Sequence, residues 1–205
     1  MTNLVTQLAS GLSQMDPSAR LQTALTAGTY PDDAFLEVLV ERCAIEPDFS
    51  VREMLTWALT RLSHDLVLER VIAELDSPIA QARSQALHTL SKLRDVRAWP
   101  AITMAHLHDT DDEVARTAWR TATGLAPLQE HDALAGELKH EFGRGDVDVQ
   151  RSLARAMVDL GDSGEKATRE ALLAGAPRVR IHASATLRLI HDPEATFYLD
   201  PGDEL

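Results

Sequence analysis

Residues 94–125 read RDVRAWPAITMAHLHDTDDEVARTAWRTATGL and contain one complete structural unit. A short apolar segment around Pro100 leads into an acidic joint at 109–113, whose carboxylates are typical of a helix N-terminus. From Val114 onward, small or apolar residues recur at offsets of four, seven, eight and eleven, which lie on one face of a helix. The stretch therefore predicts a short first helix, a capped turn and a longer amphipathic second helix.

This unit recurs along the whole chain. The short aliphatic residue that opens each second helix is found at Ala19, Val51, Ala82, Val114, Val149 and Val179. The positions eight residues later are apolar in every copy, and so are those eleven residues later, at Tyr30, Leu62, Leu93, Leu125, Leu160 and Ile190. Because one amphipathic helix cannot bury its apolar stripe alone, the period predicts six stacked helix pairs.

Shorter amphipathic segments precede the later second helices, and we interpret them as the first helices of the pairs. They lie at 31–43, 65–75, 98–108, 128–142 and 165–174. An N-terminal helix with Leu4, Leu8, Leu12 and Met15 is expected to cover the stripe of the first pair. We predict one all-α domain over 1–190, with repeats near 1–30, 31–63, 64–94, 95–126, 127–161 and 162–191, and an acidic tail over 192–205.

The repeated residues resemble the HEAT-repeat family, including the HEAT-like repeats of phycobilin lyases. The resemblance is based on the proline-bearing first helix at 98–102, the acidic joint, and a Val or Ala followed by Arg. It covers roughly residues 16–192 and implies an α-α superhelix, a right-handed HEAT-repeat solenoid of about six helix pairs. The chain is also similar to short HEAT-repeat proteins of actinobacteria, which are rich in arginine, poor in lysine and of unknown function.

In the family, the arginine that follows the opening residue braces an aspartate of the joint. This arginine is present as Arg20, Arg52, Arg83 and Arg180, whereas Ala115 and Gln150 replace it in the fourth and fifth units. The resemblance therefore implies that these two units are held less rigidly than the others.

The charge of the chain limits the classes of partner. Thirty-two acidic and 20 basic residues give a formal net charge of −12, which disfavours nucleic-acid backbones and anionic lipid headgroups as ligands. Residues 1–15 carry no basic residue and no apolar run approaches membrane-spanning length, so we expect neither a signal peptide nor a membrane anchor. The one cysteine, Cys43, is typical of a reducing compartment, and we expect a cytoplasmic protein.

A cluster of arginines contrasts with this acidic background. In HEAT-like stacks the second helices line the concave face, and the positions opposite the buried stripe include Arg116, Arg120, Arg151, Arg155, Arg188, Trp57 and His88. Arginine binds carboxylates through forked hydrogen bonds, so this face is a candidate binding site for a protein or an acidic peptide. The alternative is that the arginines pair with neighbouring acids, as on many solvated helix faces.

The sequence contains no motif typical of catalysis, and we assign no catalytic residue, no metal ligand and no cofactor. The leading hypothesis is a non-catalytic binding or scaffold module whose partner and oligomeric state stay open. One alternative is an enzyme similar to HEAT-repeat deoxyhypusine hydroxylase, which binds iron through repeated His-Glu pairs, whereas this chain has only His140-Glu141. Others are an enzyme similar to HEAT-like alkylpurine DNA glycosylases, with Trp57, Trp119, Arg120 and Arg155 as candidates, and a small-molecule sensor.

The C-terminal segment differs in composition from the repeats. Residues 191–205 contain five acidic residues and no lysine or arginine, together with the cluster Phe197-Tyr198-Leu199. Either this cluster caps the last repeat or it docks elsewhere, and a flexible acidic tail is an equal alternative.

Overall fold

The computed structural model describes residues 2–192 and 194–200, which form helices and turns without a β-strand. Within these residues the α-helices are α1 (Thr2–Leu12), α2 (Pro17–Thr29), α3 (Leu36–Cys43), α4 (Phe49–Leu59), α5 (His64–Glu74), α6 (Ala80–Leu93), α7 (Met104–Leu107), α8 (Asp112–Leu125), α9 (His131–Leu138), α10 (Val147–Asp159), α11 (Asp162–Ala174) and α12 (Pro177–His191). Short 3₁₀ helices lie at Asp33–Phe35, Val96–Ala101, Leu128–Glu130 and Lys139–Glu141. First helices (odd numbers) and second helices (even numbers) alternate, which confirms the predicted fold class, all-α with stacked helix pairs. No helix in the described part of the chain is both long and apolar enough to cross a bilayer.

The helices form two compact units, one within residues 1–101 and one within 102–205. In unit 1, α2 packs against α4 and α4 against α6, and each first helix packs beside its second helix. In unit 2, α8 packs against α10 and α10 against α12, while α7, α9 and α11 lie beside them. Side-by-side second helices therefore build the core of each unit.

The buried stripe lies where the period predicts it. The positions eight residues after the opening residues are all buried, at Ala27, Leu59, Leu90, Ala122, Met157 and Leu187. Tyr30, predicted to belong to the stripe, is instead 74% exposed, because α2 ends at Thr29. Five of the six positions that lie five residues after the opening residues are also buried, among them the fully buried Trp119, whereas Ser184 is only partly buried. The stripe is therefore wider than the periodicity indicates.

The first helix predicted at 98–108 is broken. Val96–Ala101 is a 3₁₀ helix that contains Pro100, and α7 has only four residues. Pro100 lacks the backbone N–H that an α-helix needs and also restricts the residue before it. Helix formation restarts after Thr103, whose backbone N–H donates to Nδ1 of His106 across 3.0 Å. The expectation of one continuous helix here was wrong.

The N-terminal helix covers the first pair over only part of its predicted face. Leu8 and Leu12 are buried where α1 packs against α2 and α3. Leu4 is half exposed, and Met15 is almost fully exposed because it lies beyond the end of α1. The capping role predicted for this helix therefore rests on its last two turns.

Aspartate side chains begin several of the second helices. Asp16, Asp48, Asp111 and Asp146 occupy N-cap positions and accept hydrogen bonds from backbone N–H groups of the first turn. These bonds satisfy donors that have no acceptor within the helix. In contrast, α12 begins at Pro177, whose missing N–H is not needed at the first helical position.

The arginine after the opening residue contacts the backbone of the joint. Nη1 of Arg52 donates to the carbonyl oxygens of Glu46 and Pro47, across 3.0 and 2.9 Å. Bonds to joint carbonyls are made in the same way by Arg20, Arg83 and Arg180. At Arg52 the brace thus reaches backbone oxygens, whereas the family resemblance implied an aspartate.

Arg144 and Arg178 contact the joints of the two units that lack the family arginine. Ala115 and Gln150 stand at the family position in the fourth and fifth units. Nη2 of Arg144 donates to the carbonyl oxygen of Asp109 in the fourth joint, and Nη2 of Arg178 donates to a carbonyl oxygen of the fifth joint. Both units therefore contain a contact that the repeat pattern did not predict, and their lower rigidity stays a prediction.

A buried carboxylate links the first two pairs of unit 1. Glu46 is fully buried and accepts hydrogen bonds from Nε and Nη2 of Arg20, across 2.8 and 2.7 Å. Nε and Nη2 of Arg42 both donate to Oε2 of the same carboxylate, across 2.8 and 2.6 Å. Burial raises the pKa of this carboxyl, but bonds from Arg20, the Asp48 N–H and Arg42 outweigh burial and lower the pKa to about 2. Glu46 is therefore ionised and ties α2 and α3 to the joint before α4.

Candidate functional site

The residues predicted to bind a partner fall in both units, and unit 1 contains Trp57 and His88. Nε2 of His88 lies 2.8 Å from Oε1 of Glu53, which connects α6 to α4. His88 is buried, whereas Trp57 is 38% exposed and lies directly against Gly28 of α2. Trp57 therefore presents an aromatic surface to solvent, and His88 presents little.

Unit 2 contains the predicted arginines, which lie on three neighbouring second helices. Arg116 and Arg120 are one turn apart on α8, and Arg151 and Arg155 are one turn apart on α10. Arg188 lies on α12, which packs against α10. We call these five side chains the arginine face.

Two members of the arginine face pair with acids of their own helix. Nη1 of Arg116 lies 2.7 Å from Oε1 of Glu113, and Nη1 of Arg151 lies 2.8 Å from Oδ1 of Asp148. Both carboxylates are more than half exposed, and pairs of this kind contribute little to stability. The interpretation that arginines pair with neighbouring acids is therefore confirmed for Arg116 and Arg151.

The second arginine of each helix is directed toward solvent. Arg120 and Arg155 are both exposed. Within the described residues Arg155 makes no hydrogen bond. Its positive charge interacts with Asp159, which lies one turn further along α10. Burial raises the pKa of Asp159, while the positive charge of Arg155 lowers it. These two guanidinium groups are accessible to a partner.

The C-terminal segment lies on unit 2, across α10 and α12. Phe197 is only 7% exposed and packs with Ala154 of α10 and with Ala185 and Leu189 of α12. For residues 194–200 the structure therefore shows a docked cluster rather than a flexible tail. Residues 193 and 201–205 of the predicted tail lie outside the described residues.

Two members of the arginine face bind this segment. The guanidinium carbon of Arg151 lies 6.0 Å from the Phe197 ring centroid, and that of Arg188 lies 4.4 Å from the Tyr198 ring centroid. Nη2 of Arg188 also donates to the carbonyl oxygen of Tyr198 across 2.7 Å. Leu199 lines a depression of about 280 Å³ together with Gly145, Asp146, Val147, Gln150, Arg178 and Ile181. The signal for this site was the apolar cluster within an acidic segment, but its docking position could not be read from the sequence.

Several histidines pair with acids that lie far from them in the sequence. His64 lies 2.9 Å from Asp95, and Nδ1 of His108 lies 2.5 Å from Glu141. Neither partner is the acid that follows the histidine in the sequence. In the part of the chain that the structure describes, no group of three or more His, Cys, Asp or Glu side chains is placed to hold a metal ion.

Trp119 does not belong to a binding surface. Its side chain is fully buried, and Nε1 donates to the carbonyl oxygen of Leu107 across 2.8 Å. Trp119 therefore packs in the core of unit 2, and it is removed from the residues considered for a glycosylase-like face.

Comparison with known proteins supports the fold alone. Neither a family model nor a curated protein sequence matches the chain. An engineered protein of known structure is similar with a TM-score of 0.50 and 20% identity, over 93% of this chain and 97% of that one. A second engineered protein is similar with a TM-score of 0.50 and 20% identity. The match covers 92% of this chain and 58% of that protein. The complex of CpcE and CpcF of phycocyanin lyase from Nostoc sp. has a TM-score of 0.49 and 19% identity, over 91% of this chain and 76% of that one.

Proposed function

We propose that this chain is a non-catalytic binding module, and that the arginine face of unit 2 holds an acidic segment of a protein partner. The observation that supports the proposal is the concentration of five arginines on α8, α10 and α12 of a chain whose net charge is −12. Arg120 and Arg155 are exposed, and a guanidinium group can form forked hydrogen bonds to a carboxylate of the partner.

Local charge decides which anions this face accepts. At physiological ionic strength the Debye length is about 8 Å, so a short acidic peptide on the arginine face is screened from most of the surrounding acidic surface. A long polyanion such as duplex DNA extends beyond the face and meets the remaining negative charge of the chain. The proposed partner is therefore a short acidic segment, not a nucleic acid.

Three buried groups with displaced pKa values support a non-catalytic role. Burial raises the pKa of the Cys43 thiol to about 12, so this cysteine is not a nucleophile at neutral pH. Glu46 is enclosed by arginines, and both ring nitrogens of His182 are hydrogen-bonded to the backbone. Strongly shifted groups often mark active sites, but these three lie in the cores of the units.

The test uses two fluorescein-labelled decapeptides, one of alternating Glu and Ser and one of alternating Lys and Ser. We expect the wild-type chain to bind only the acidic peptide, and R120E/R155E to bind it about tenfold or more weakly, because each charge-assisted bond contributes about 1.5 kcal/mol or more. R61E/K166E is the matched control, since both of its residues are exposed and the net charge changes equally.

Fluorescence anisotropy in 50 and 150 mM salt measures the affinities, and circular dichroism verifies that each variant is folded. The quadruple variant R116E/R120E/R151E/R155E should abolish binding. An equal loss in R120E/R155E and in R61E/K166E would overturn the proposal, and so would the absence of any binding to the acidic peptide.

A further inference from the structure

We infer that the surface of α10 and α12 beneath residues 194–200 is a docking groove for an extended peptide of a partner protein, and that the chain's own C-terminal segment occupies this groove as a displaceable competitor. The partner peptide carries an aromatic residue, a large apolar residue two positions later, and a flanking acid. For the class of partner this inference rests on the proposed function. It adds the surface on which the partner peptide docks and the peptide residues that this surface recognises.

The backbone of the segment is suited to this mode of recognition. Residues 196–200 form neither helix nor turn, and the burial of their side chains alternates in the way that an extended backbone produces. Phe197 is buried against the helices and Leu199 is partly buried, while Tyr198 between them is half exposed. The segment therefore uses the alternation with which an extended peptide fills two neighbouring subsites.

The first subsite is formed by small side chains. Ala154 and Ala185 leave space between α10 and α12, and the Phe197 ring fills it beside Leu189. The His182 ring lies edge-on beneath it, with 6.0 Å between the ring centroids. The resulting subsite is shaped for an aromatic ring.

The second subsite is larger than its present occupant. The depression of about 280 Å³ beside Leu199 is lined by residues of the joint before α10 and of the first turns of α10 and α12. Its lining includes the apolar side chains of Val147 and Ile181 and the guanidinium-bearing Arg178. Because Leu199 does not fill the depression, a peptide with a larger apolar side chain at this position gains contact that the chain's own segment lacks.

The polar contacts do not require this particular sequence. Nη2 of Arg188 donates to the backbone oxygen of Tyr198, an acceptor that every peptide offers. Arg151 lies over the Phe197 ring, which any aromatic residue can replace. A tethered segment has an effective concentration in the millimolar range, so modest contacts keep it docked and a partner with better contacts displaces it.

The test uses the full chain and fluorescein-labelled peptides. One peptide has the sequence Glu-Ala-Thr-Phe-Tyr-Leu-Asp of residues 194–200, and a second has Trp in place of Leu. F197S/L199S, in which the internal segment is loosened, should bind both peptides at least about tenfold more tightly than the wild type does, since the competitor is weakened. The Trp peptide should bind more tightly than the Leu peptide.

A substitution in the first subsite provides the specificity control. In the F197S/L199S background, A185E places a carboxylate under the aromatic subsite and should abolish peptide binding. The matched control is A174E in the same background, because Ala174 is exposed at the end of α11. Equal affinity of wild type and F197S/L199S, or no binding to F197S/L199S, would overturn the inference.

A measurement on the wild type is decisive if F197S/L199S fails to fold. Excess Trp peptide should increase hydrogen–deuterium exchange of the amides at 194–200, and unchanged exchange would overturn the inference. A wild-type dimer in sedimentation that dissociates with the Trp peptide would also overturn it, because the occupant would then be a second copy.

If the Glu/Ser peptide still binds through Arg120 and Arg155 while the segment peptides do not, only this inference fails. If the Glu/Ser peptide alone fails to bind, the proposed arginine face fails instead.

Discussion

His182 is fully buried, and its Nε2 donates a hydrogen bond to the backbone oxygen of Gln150 across 2.8 Å. Its Nδ1 accepts a hydrogen bond from the N–H of Gly143 across 3.0 Å, which fixes the neutral ring with its proton on Nε2. Burial lowers the pKa of His182 to about 4. The bond to the Gln150 carbonyl oxygen raises the pKa, and the positive charge of Arg178 lowers it. A neutral imidazole therefore connects α12 to α10 and to the joint before it.

We predict that His182 makes the stability of the protein depend on pH between 6.5 and about 4. Within this window the unfolded imidazole takes up a proton that the native ring does not, so the free energy of unfolding falls as the pH falls. The contribution is complete above pH 6.5 and lost by about pH 4, and it amounts to about 3 kcal/mol at 1.36 kcal/mol for each pKa unit. Urea unfolding of wild type and H182Q at several pH values measures it.

Gln can accept one hydrogen bond and donate another, so H182Q should lack this component while it keeps the carboxylate titrations of the wild type. H140Q is the control, because it removes an exposed imidazole instead of a buried one. Parallel pH curves for wild type and H182Q would contradict the prediction.

Glu46 provides a second prediction, about a buried charge cluster. E46Q leaves the charges of Arg20 and Arg42 without their carboxylate, and we expect a loss of about 3 to 5 kcal/mol in the free energy of unfolding at pH 7. The pKa of about 2 also means that Glu46 stabilises the wild type fully above its ordinary value near 4.5 and loses this effect as the pH falls toward 2. Chemical unfolding at pH 7 and pH 3 measures both effects.

The matched control for E46Q is E37Q, which removes a carboxylate that is 60% exposed and bound to Arg70. We expect E37Q to cost less than about 1 kcal/mol, since exposed pairs contribute little. Equal costs for the two substitutions would show that Glu46 does not act as a buried counter-ion.

Gly28 provides a third prediction, about close packing under Trp57. A Cβ atom at position 28 would lie 2.3 Å from Cζ3 of Trp57 and 3.0 Å from Cα of Ala58. Gly28→Ala must therefore displace the indole ring, and we expect a loss of about 1 to 3 kcal/mol, the usual cost of overpacking. Tryptophan fluorescence reports the movement of the ring, and urea unfolding reports the cost.

Gly136→Ala is the comparison for Gly28→Ala. Gly136 lies inside α9, and a Cβ atom there meets nothing within 4 Å. Alanine has a higher helix propensity, so Gly136→Ala should stabilise the protein by up to about 1 kcal/mol. The prediction for Gly28 is wrong if both substitutions stabilise the protein and the fluorescence of Gly28→Ala is unchanged.

The fold could be predicted from the sequence because its core is built from local periodicity. Apolar residues at Leu59, Leu90 and Met157 lie on the buried face of one helix each, so their spacing alone identifies the stripe. Tyr30 shows the limit of this reasoning, since the pattern continues one residue past the end of α2. The position of a helix end depends on capping and on the segments packed beside it, and the apolar period carries no information about either.

The candidate site could be predicted only in part, for the same reason. Arg120 and Arg155 were identified because exposed positions on a helix follow from the buried ones. The docking of Phe197 against Ala154 and the replacement of a missing brace by Arg144 connect residues more than 30 positions apart in the chain. No local pattern encodes such contacts, because they depend on how the helix pairs stack.

Arg144 allows this replacement to be tested directly. Its Nε lies 2.8 Å from Oδ1 of Asp112 and its Nη1 lies 2.9 Å from Oε2 of Glu141, in addition to the bond to the Asp109 carbonyl oxygen. R144A leaves all three acceptors without this donor, and we expect a loss of about 2 to 3 kcal/mol in the free energy of unfolding.

R97A is the matched control for R144A, because Arg97 also binds two carboxylates but is more than half exposed, and it should cost less than about 1 kcal/mol.

A115R in the R144A background restores an arginine at the family position, from which Arg52 reaches its own joint carbonyls. If Arg144 replaces the missing brace, R144A/A115R should recover part of the lost stability, whereas A115R alone should destabilise the protein, since Ala115 is fully buried while Arg144 is present. A double variant less stable than R144A would show that Arg144 stabilises the joint in a way unrelated to the family arginine.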